Sequence, residues 1–431
     1  MIEFAEHPLR RALAAEIHAR PYQMMRPPIR ISHVAAMSGE RNIETDRAHV
    51  AALCRTFGVA PPPSDATHFT ARLGTVTLKW ERHTEFASYL FAAEGAFEQP
   101  FKEPVVDKLP KDWLKTIPGE VLSATHIAVE TASTPERSLE EIAALFDNNT
   151  VAGSSLREDQ ARAWTDLMIH ADGFGRILVR DLGQNQRQLG RLVQRLIELD
   201  TYRMVAMLAF PLAREARSRV AAAERELSKI VSELPAVEGI DDERGLLKRL
   251  SGLAAEAEAI AVSTNYRFSA ARAYYALVRQ RVDELRERRL DWVQPFGTFL
   301  YRRLAPAMET CENVAARQES LSVRIARASG LLRTRVDVAL ESQNRDLLQS
   351  MNRRAKLQLR LQETVEGLSV VAISYYLVGL VHYLAKGAVE TGVPLHPETA
   401  AAVSVPVVVL LVWLGVRRLR KAIARDKDAA E

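Results

Sequence analysis

Ser374, Tyr375, Tyr376, Gly379 and His382 interrupt an otherwise apolar run from Leu368 to Leu384. On a helix they fall roughly on one face, offering hydroxyls, a ring nitrogen and a glycine that permits close approach. In an apolar medium such a stripe suits the lining of an ion path. It equally suits helix packing, since Tyr383 and Trp413 fit an aromatic belt and His382 lies near one end of the run, where water reaches it. Both readings stay open at this level. Lys386, Glu390 and Glu398 follow as candidates for an external mouth. A lysine there repels cations unless it points away, and the two carboxylates partly compensate.

The rest of the chain has no recognisable catalytic constellation. It contains no Walker loop, GxGxxG, GxSxG or HExxH. Gly153-Ser154-Ser155 lacks the elbow spacing, and Gly173-Phe174-Gly175 sits where a hairpin needs pliable backbone. The ten histidines are dispersed. His7, His18 and His33 near Glu16, and His83 beside Glu85, read as hydrogen-bonded structural residues. Asp241, Asp242 and Glu243 read as a solvated corner rather than an ion site. Cys54 and Cys311 belong to no CxxC pair or metal-ligand spacing, which suits a reducing compartment. The expectation is a chain without catalytic residues, cofactor or metal.

These residues must be positioned by the stretch around Gly367 to Val416. Leu368–Leu384 and the charge-free Ala400–Val416 are each about the minimum length for crossing a bilayer, and Pro406 is tolerated in such helices. Buried helices of a soluble protein would not give two uninterrupted charge-free runs bracketed by basic clusters, as these are. Arg353, Arg354, Lys356 and Arg360 precede the first run, and Arg417, Arg418, Arg420 and Lys421 follow the second. The positive-inside rule then places both termini on the cytoplasmic side of a bacterial inner membrane. Arg353, Arg354, Arg417, Arg418, Arg420 and Lys421 would rest on anionic lipid headgroups of the bilayer. With 26% charged residues in 431 and a mean hydropathy of -0.12, most of the mass is water-soluble, unlike a multi-span transporter. The formal charge of +4 is accounted for by the basic clusters, so no nucleic acid partner is expected. Met1 to Arg20 has no apolar h-region, so no export of the bulk is expected.

The remaining text predicts an α+β cytoplasmic head over residues 1–182, then a long helical bundle and stalk over 183–366, the transmembrane hairpin over 367–416 and a basic tail over 417–431. In the head, Pro28–Met37 alternates as a strand and Glu44–Phe57 has helical spacing. Thr67–Arg72 and Thr75–Arg82 form a hairpin around Leu73 and Gly74, with Phe69, Ala71, Val76, Leu78 and Trp80 inward. Phe86–Ala92 is a third strand, Val121–Glu130 another and Leu139–Phe146 a short helix. Thr150–Leu156, Ala161–Ile169 and Phe174–Arg180 form an antiparallel meander. Beyond Gly183, Leu189, Leu192, Val193, Leu196 and Leu199 mark one apolar stripe; Leu321, Ile325, Ala328, Leu332, Val336, Ala339, Leu347 and Met351 mark another. Such stripes serve a bundle within one chain or packing between copies. Pro211 predicts a kink. From about Ala307 nothing interrupts the last helix, which would run into the first span; 60 or more helical residues rise about 90 Å.

Several strings resemble a bacterial family of uncharacterised membrane-anchored proteins. They are His7-Pro8-Leu9-Arg10, Glu16-Ile17-His18-Ala19-Arg20-Pro21, Trp80-Glu81-Arg82-His83-Thr84-Glu85-Phe86, Val151-Ala152-Gly153-Ser154, Asp172-Gly173-Phe174, Gly190 to Leu196, Thr201-Tyr202-Arg203, Val365 to Ser369 and Ser374-Tyr375-Tyr376. That resemblance implies membrane anchoring and assigns no activity. The order of parts is also similar to CorA-type magnesium channels: a cytoplasmic α/β domain, long helices, a stalk entering the first of two C-terminal spans, and a basic tail. The Gly-Met-Asn signature of those channels is absent; this helix ends Tyr383-Leu384-Ala385-Lys386-Gly387, which argues against magnesium selectivity. The expectation is a homo-oligomeric, CorA-like ion channel or transporter gated by its cytoplasmic domain and carrying an inorganic ion. The alternative is a non-conducting scaffold tethered at the inner face.

Overall fold

Runs rich in branched and aromatic residues, punctuated by glycine and proline, become strands because a pleated backbone packs such side chains well. The computed structural model describes residues 6–11, 13–14, 22–39, 42–237, 239–390 and 396–428. Its strands are β1 (Ile29–Met37), β2 (His68–Leu73), β3 (Val76–Arg82), β4 (Ala87–Glu94), β5 (Glu120–Glu130), β6 (Ala152–Leu156), β7 (Ala161–Thr165), β8 (Gly175–Asp181) and β9 (Arg288–Arg289). They form one nine-stranded sheet in the order β2-β3-β4-β1-β5-β8-β7-β6-β9. Every neighbouring pair is antiparallel except β5 with β8. That parallel pairing fuses the expected small sheet and meander into a single layer. Gly74, at φ +63°, opens the two-residue turn between β2 and β3, where a left-handed residue matches the strand twist.

The helices are α1 (Ile43–Thr56), α2 (Lys111–Lys115), α3 (Leu139–Leu145), α4 (Gln186–Met207), α5 (Ala209–Glu233), α6 (Ile240–Leu285), α7 (Phe296–Glu390) and α8 (Pro397–Asp428). Capping boxes start α3 at Ser138 and Glu141 and α4 at Asn185 and Gln188, each satisfying two backbone donors that the first turn leaves free. The kink expected from Pro211 is a full break at Leu208. Pro211 falls in the first turn of α5, where its missing N–H has no helical partner to lose.

The chain divides into two compact units, Met1–Ala236 with Leu246–Ser329, and Val237–Gly245 with Gly330–Glu431. In the first, one sheet face packs Leu78, Trp80, Tyr89 and Phe91 against Val50, Leu53 and Cys54 of α1 and Trp113 of α2. Further along, α3 and the turn after it bring Ile142 and Phe146 onto Trp164 and Leu178. The opposite face is covered by α4, which lies against β5. Its stripe Leu189, Leu192, Val193, Leu196 and Leu199 is buried. Each such side chain contributes about 1.5–3 kcal/mol. In the second unit, α7 and α8 each contain a stretch long and apolar enough to cross a membrane.

Candidate functional site

Two groups of polar residues stand out, one inside the head and one in the hairpin. Under α4 the sheet presents charge where oil is expected. Cross-strand partners share a face, so Lys79, Leu90, His33 and Thr125 line up across β3, β4, β1 and β5. Glu81, Ser88, Ala35 and Ser123 form the adjacent row. From α4, Asp200 accepts hydrogen bonds from Ser123 Oγ at 2.8 Å and Thr125 Oγ1 at 2.5 Å, and pairs with Arg203 at 2.6 Å. Burial opposes ionisation of Asp200, but Arg203 and the two hydroxyls outweigh it and hold the carboxyl below its ordinary range. Lys79 lies 3.0 Å from Glu81, both buried. Glu198 of α4 pairs with Arg281 of α6, and Arg195 with Glu284 at 2.8 Å. Glu85 pairs with Arg267 of α6. This layer is matched charge against charge, and it fixes α4 and α6 on the sheet.

His33 sits in that layer with Nε2 2.8 Å from Ser88 Oγ. On the other face His126 Nδ1 lies 2.9 Å from Ser32 Oγ, its ring stacks on Phe174 at 4.0 Å, and Nε2 is 3.8 Å from Asp172. A serine, a histidine and an aspartate thus stand in line, but Ser32 is fully buried and presents its hydroxyl to no substrate from solvent. Next to it, His170 has Asp147 on Nδ1 at 2.7 Å and Asp166 on Nε2 at 3.1 Å. Among the described residues no group of three or more His, Cys, Asp and Glu could hold a metal ion.

Burial pushes His33 and His126 down from 6.5 to about 4, so both are neutral at pH 7. A lowered folded-state value makes the unfolded chain bind protons first. Stability is therefore full above pH 6.5 and falls as the pH drops towards 4, by about 3 kcal/mol for each ring. Urea midpoints of the detergent-solubilised chain between pH 7 and 4 should show this loss. His49, which burial also pushes down to about 4, contributes in the same window, so in His33→Gln/His126→Gln the slope should shrink markedly without vanishing; an unchanged slope would refute the assignment.

In the hairpin, the stripe of five residues divides. Ser374 is 4% exposed, and His382 Nδ1 lies 3.4 Å from the Pro397 carbonyl. Both therefore face α8. Tyr375 and Tyr376, each 77% exposed, and Tyr383 at 75% point outward; Gly379 lies between. Lys386 and Glu398 are exposed near the C-terminal end of α7 and the N-terminal end of α8, and Arg353, Arg354, Arg417 and Arg418 are exposed beyond the other ends of the apolar stretches. The side chains of Glu390, Arg420 and Lys421 lie outside the described residues, as do Glu16 to Pro21 with His18.

The sequence reading missed the buried charge layer. A signal existed: Asp200 follows Leu196 by four and Val193 by seven, so a carboxylate occupies the apolar stripe of α4. The quoted string from Trp80 to Phe86 holds Glu81, Arg82 and Glu85, all nearly buried. Arg82 meets the fully buried Asp46 at 3.3 Å. In Val151–Ser154, Gly153 abuts Trp164, and Ser154 donates to Glu287 at 2.8 Å while accepting from the Phe296 N–H that opens α7. These strings are thus sites where polar groups are buried or backbone packs closely. No curated protein and no solved structure matches the chain. A family model matches residues 5–423, and the chain belongs to that family, DUF3422, described as proteins of unknown function.

Proposed function

We propose that this protein is a membrane-tethered scaffold of the bacterial inner membrane, anchored by its hairpin, with both termini on the cytoplasmic side and other copies of the chain as its first partners. One observation carries the reading: the apolar stretches of the hairpin are bare, with no buried residue in the most apolar part of α8 and 6% buried in that of α7. Apolar helices of this length without protein cover are what a bilayer solvates. Exposed Arg353, Arg354, Arg417 and Arg418 at one end support the orientation. Leu347, Leu348, Met351, Leu357, Leu359 and Leu361 are each at least 55% exposed on the part of α7 before the span, which supports self-association through that helix. Ser374 and His382 face into the hairpin rather than out of it, which favours an anchor over an ion path.

A conducting ring is the second reading, favoured by the outward Tyr375 and Tyr376, which neighbouring copies would bring to a shared axis. The two are separated by reconstitution into ion-loaded vesicles together with mass measurement in detergent. The scaffold reading expects an oligomer whose ion flux equals that of protein-free vesicles. Flux that changes in Lys386→Glu would establish the conducting reading instead, and a monomer would refute self-association.

A further inference from the structure

At the basic end of the hairpin, Glu363, Glu366 and Val370 of α7 face Trp413 and Arg417 of α8 across a cleft of about 300 Å³. We propose that this cleft binds the headgroup of a zwitterionic, primary-amine phospholipid, the ammonium on Glu363 and Glu366 and the phosphate on Arg417. The proposal rests on the membrane reading above and names a ligand for the anchor.

The lining selects the class. Two carboxylates stand one helical turn apart on one helix, against one guanidinium on the other. An anionic headgroup would meet both carboxylates, and a bare cation would meet the guanidinium. Only a headgroup carrying both signs satisfies both walls. Arg417 lies 4.9 Å from the centre of the Trp413 ring; that contact orients the guanidinium plane and leaves N–H edges for phosphate oxygens. A primary ammonium donates three hydrogen bonds, whereas a quaternary one donates none, so an ethanolamine-type head is preferred over a choline-type head. Both carboxylates already make other interactions, but each has about four lone-pair sites. A Cβ on Gly367 would meet nothing within 4 Å, so the cleft wall is open there. The volume is at the lower end of ligand pockets, roughly 300–1,000 Å³. The position fits too: Glu366 is the last charge before the apolar run of α7 and Arg417 the first after that of α8, so the cleft lies where hydrocarbon gives way to headgroups.

The test uses the full chain equilibrated with vesicles of phosphatidylcholine alone, or with added phosphatidylethanolamine or phosphatidylglycerol, followed by native mass spectrometry of retained lipid. The parent should retain phosphatidylethanolamine about tenfold over the other two. Glu363→Gln/Glu366→Gln should abolish that preference, and Arg417→Gln should lower retention of all three lipids. Equal retention of the three lipids by the parent, or an undiminished preference in the double variant, would overturn the site. Flotation with the vesicles is scored in parallel for every variant. A parent chain that does not float overturns the membrane reading itself, whereas a floating chain without lipid preference overturns only the headgroup site.

Discussion

Asp200→Ala is expected to lower the stability of the head by about 3–5 kcal/mol, enough to unfold a marginal domain. The carboxylate is the shared acceptor for Ser123, Thr125 and Arg203. Its removal strands two buried hydroxyls and a largely buried guanidinium at once, and the cost comes from those unpaired partners rather than from a lost attraction. Asp200→Asn keeps an oxygen for the hydroxyls but loses the ion pair, so its cost should be intermediate. Urea unfolding of the solubilised chain followed by circular dichroism measures both. A loss below about 1 kcal/mol in the alanine variant would mean that water or a neighbour replaces the carboxylate, and that α4 is not held by this layer.

The second large effect is Gly190→Ala, for which two principles give opposite signs. In an exposed helix interior, alanine gains about 1 kcal/mol over glycine. Here the added Cβ would stand 1.9 Å from the Gln23 carbonyl oxygen, and backbone cannot step aside as a flexible side chain can. Overpacking of this kind costs about 1–3 kcal/mol, and a clash with backbone belongs at the upper end, so after the helix-propensity gain a net loss of about 2 kcal/mol is expected. Gly252 in α6, whose Cβ would meet nothing within 4 Å, is the control. Its alanine variant should be neutral to slightly stabilised in the same melt.

Legibility in the sequence followed the range over which each signal acts. Alternation is local, so β1 to β8 and the inward set Val76, Leu78 and Trp80 could be read directly. Pairing between distant strands is not local: the parallel match of Thr125 with Gly175 depends on a crossover that no period reveals. Arg288–Arg289 escaped because two residues have no period, and they lie between long helices. In the hairpin, the two long apolar helical stretches were readable from length and charge, but the direction of each polar side chain was not. Consecutive helical residues are about 100° apart, so Ser374 and Tyr375 cannot share a face tightly, and the neighbouring helix decides which of them turns inward.

The position of β9 sets an order of events during synthesis. The sheet lacks its last edge until Arg288 and Arg289 have been made, yet those residues precede Leu368 by a long stretch of α7. Translation runs from the N-terminus, so the head has all its strands in hand while the greasy segments are still unmade. Those apolar stretches are therefore made behind a sheet that has already been able to close.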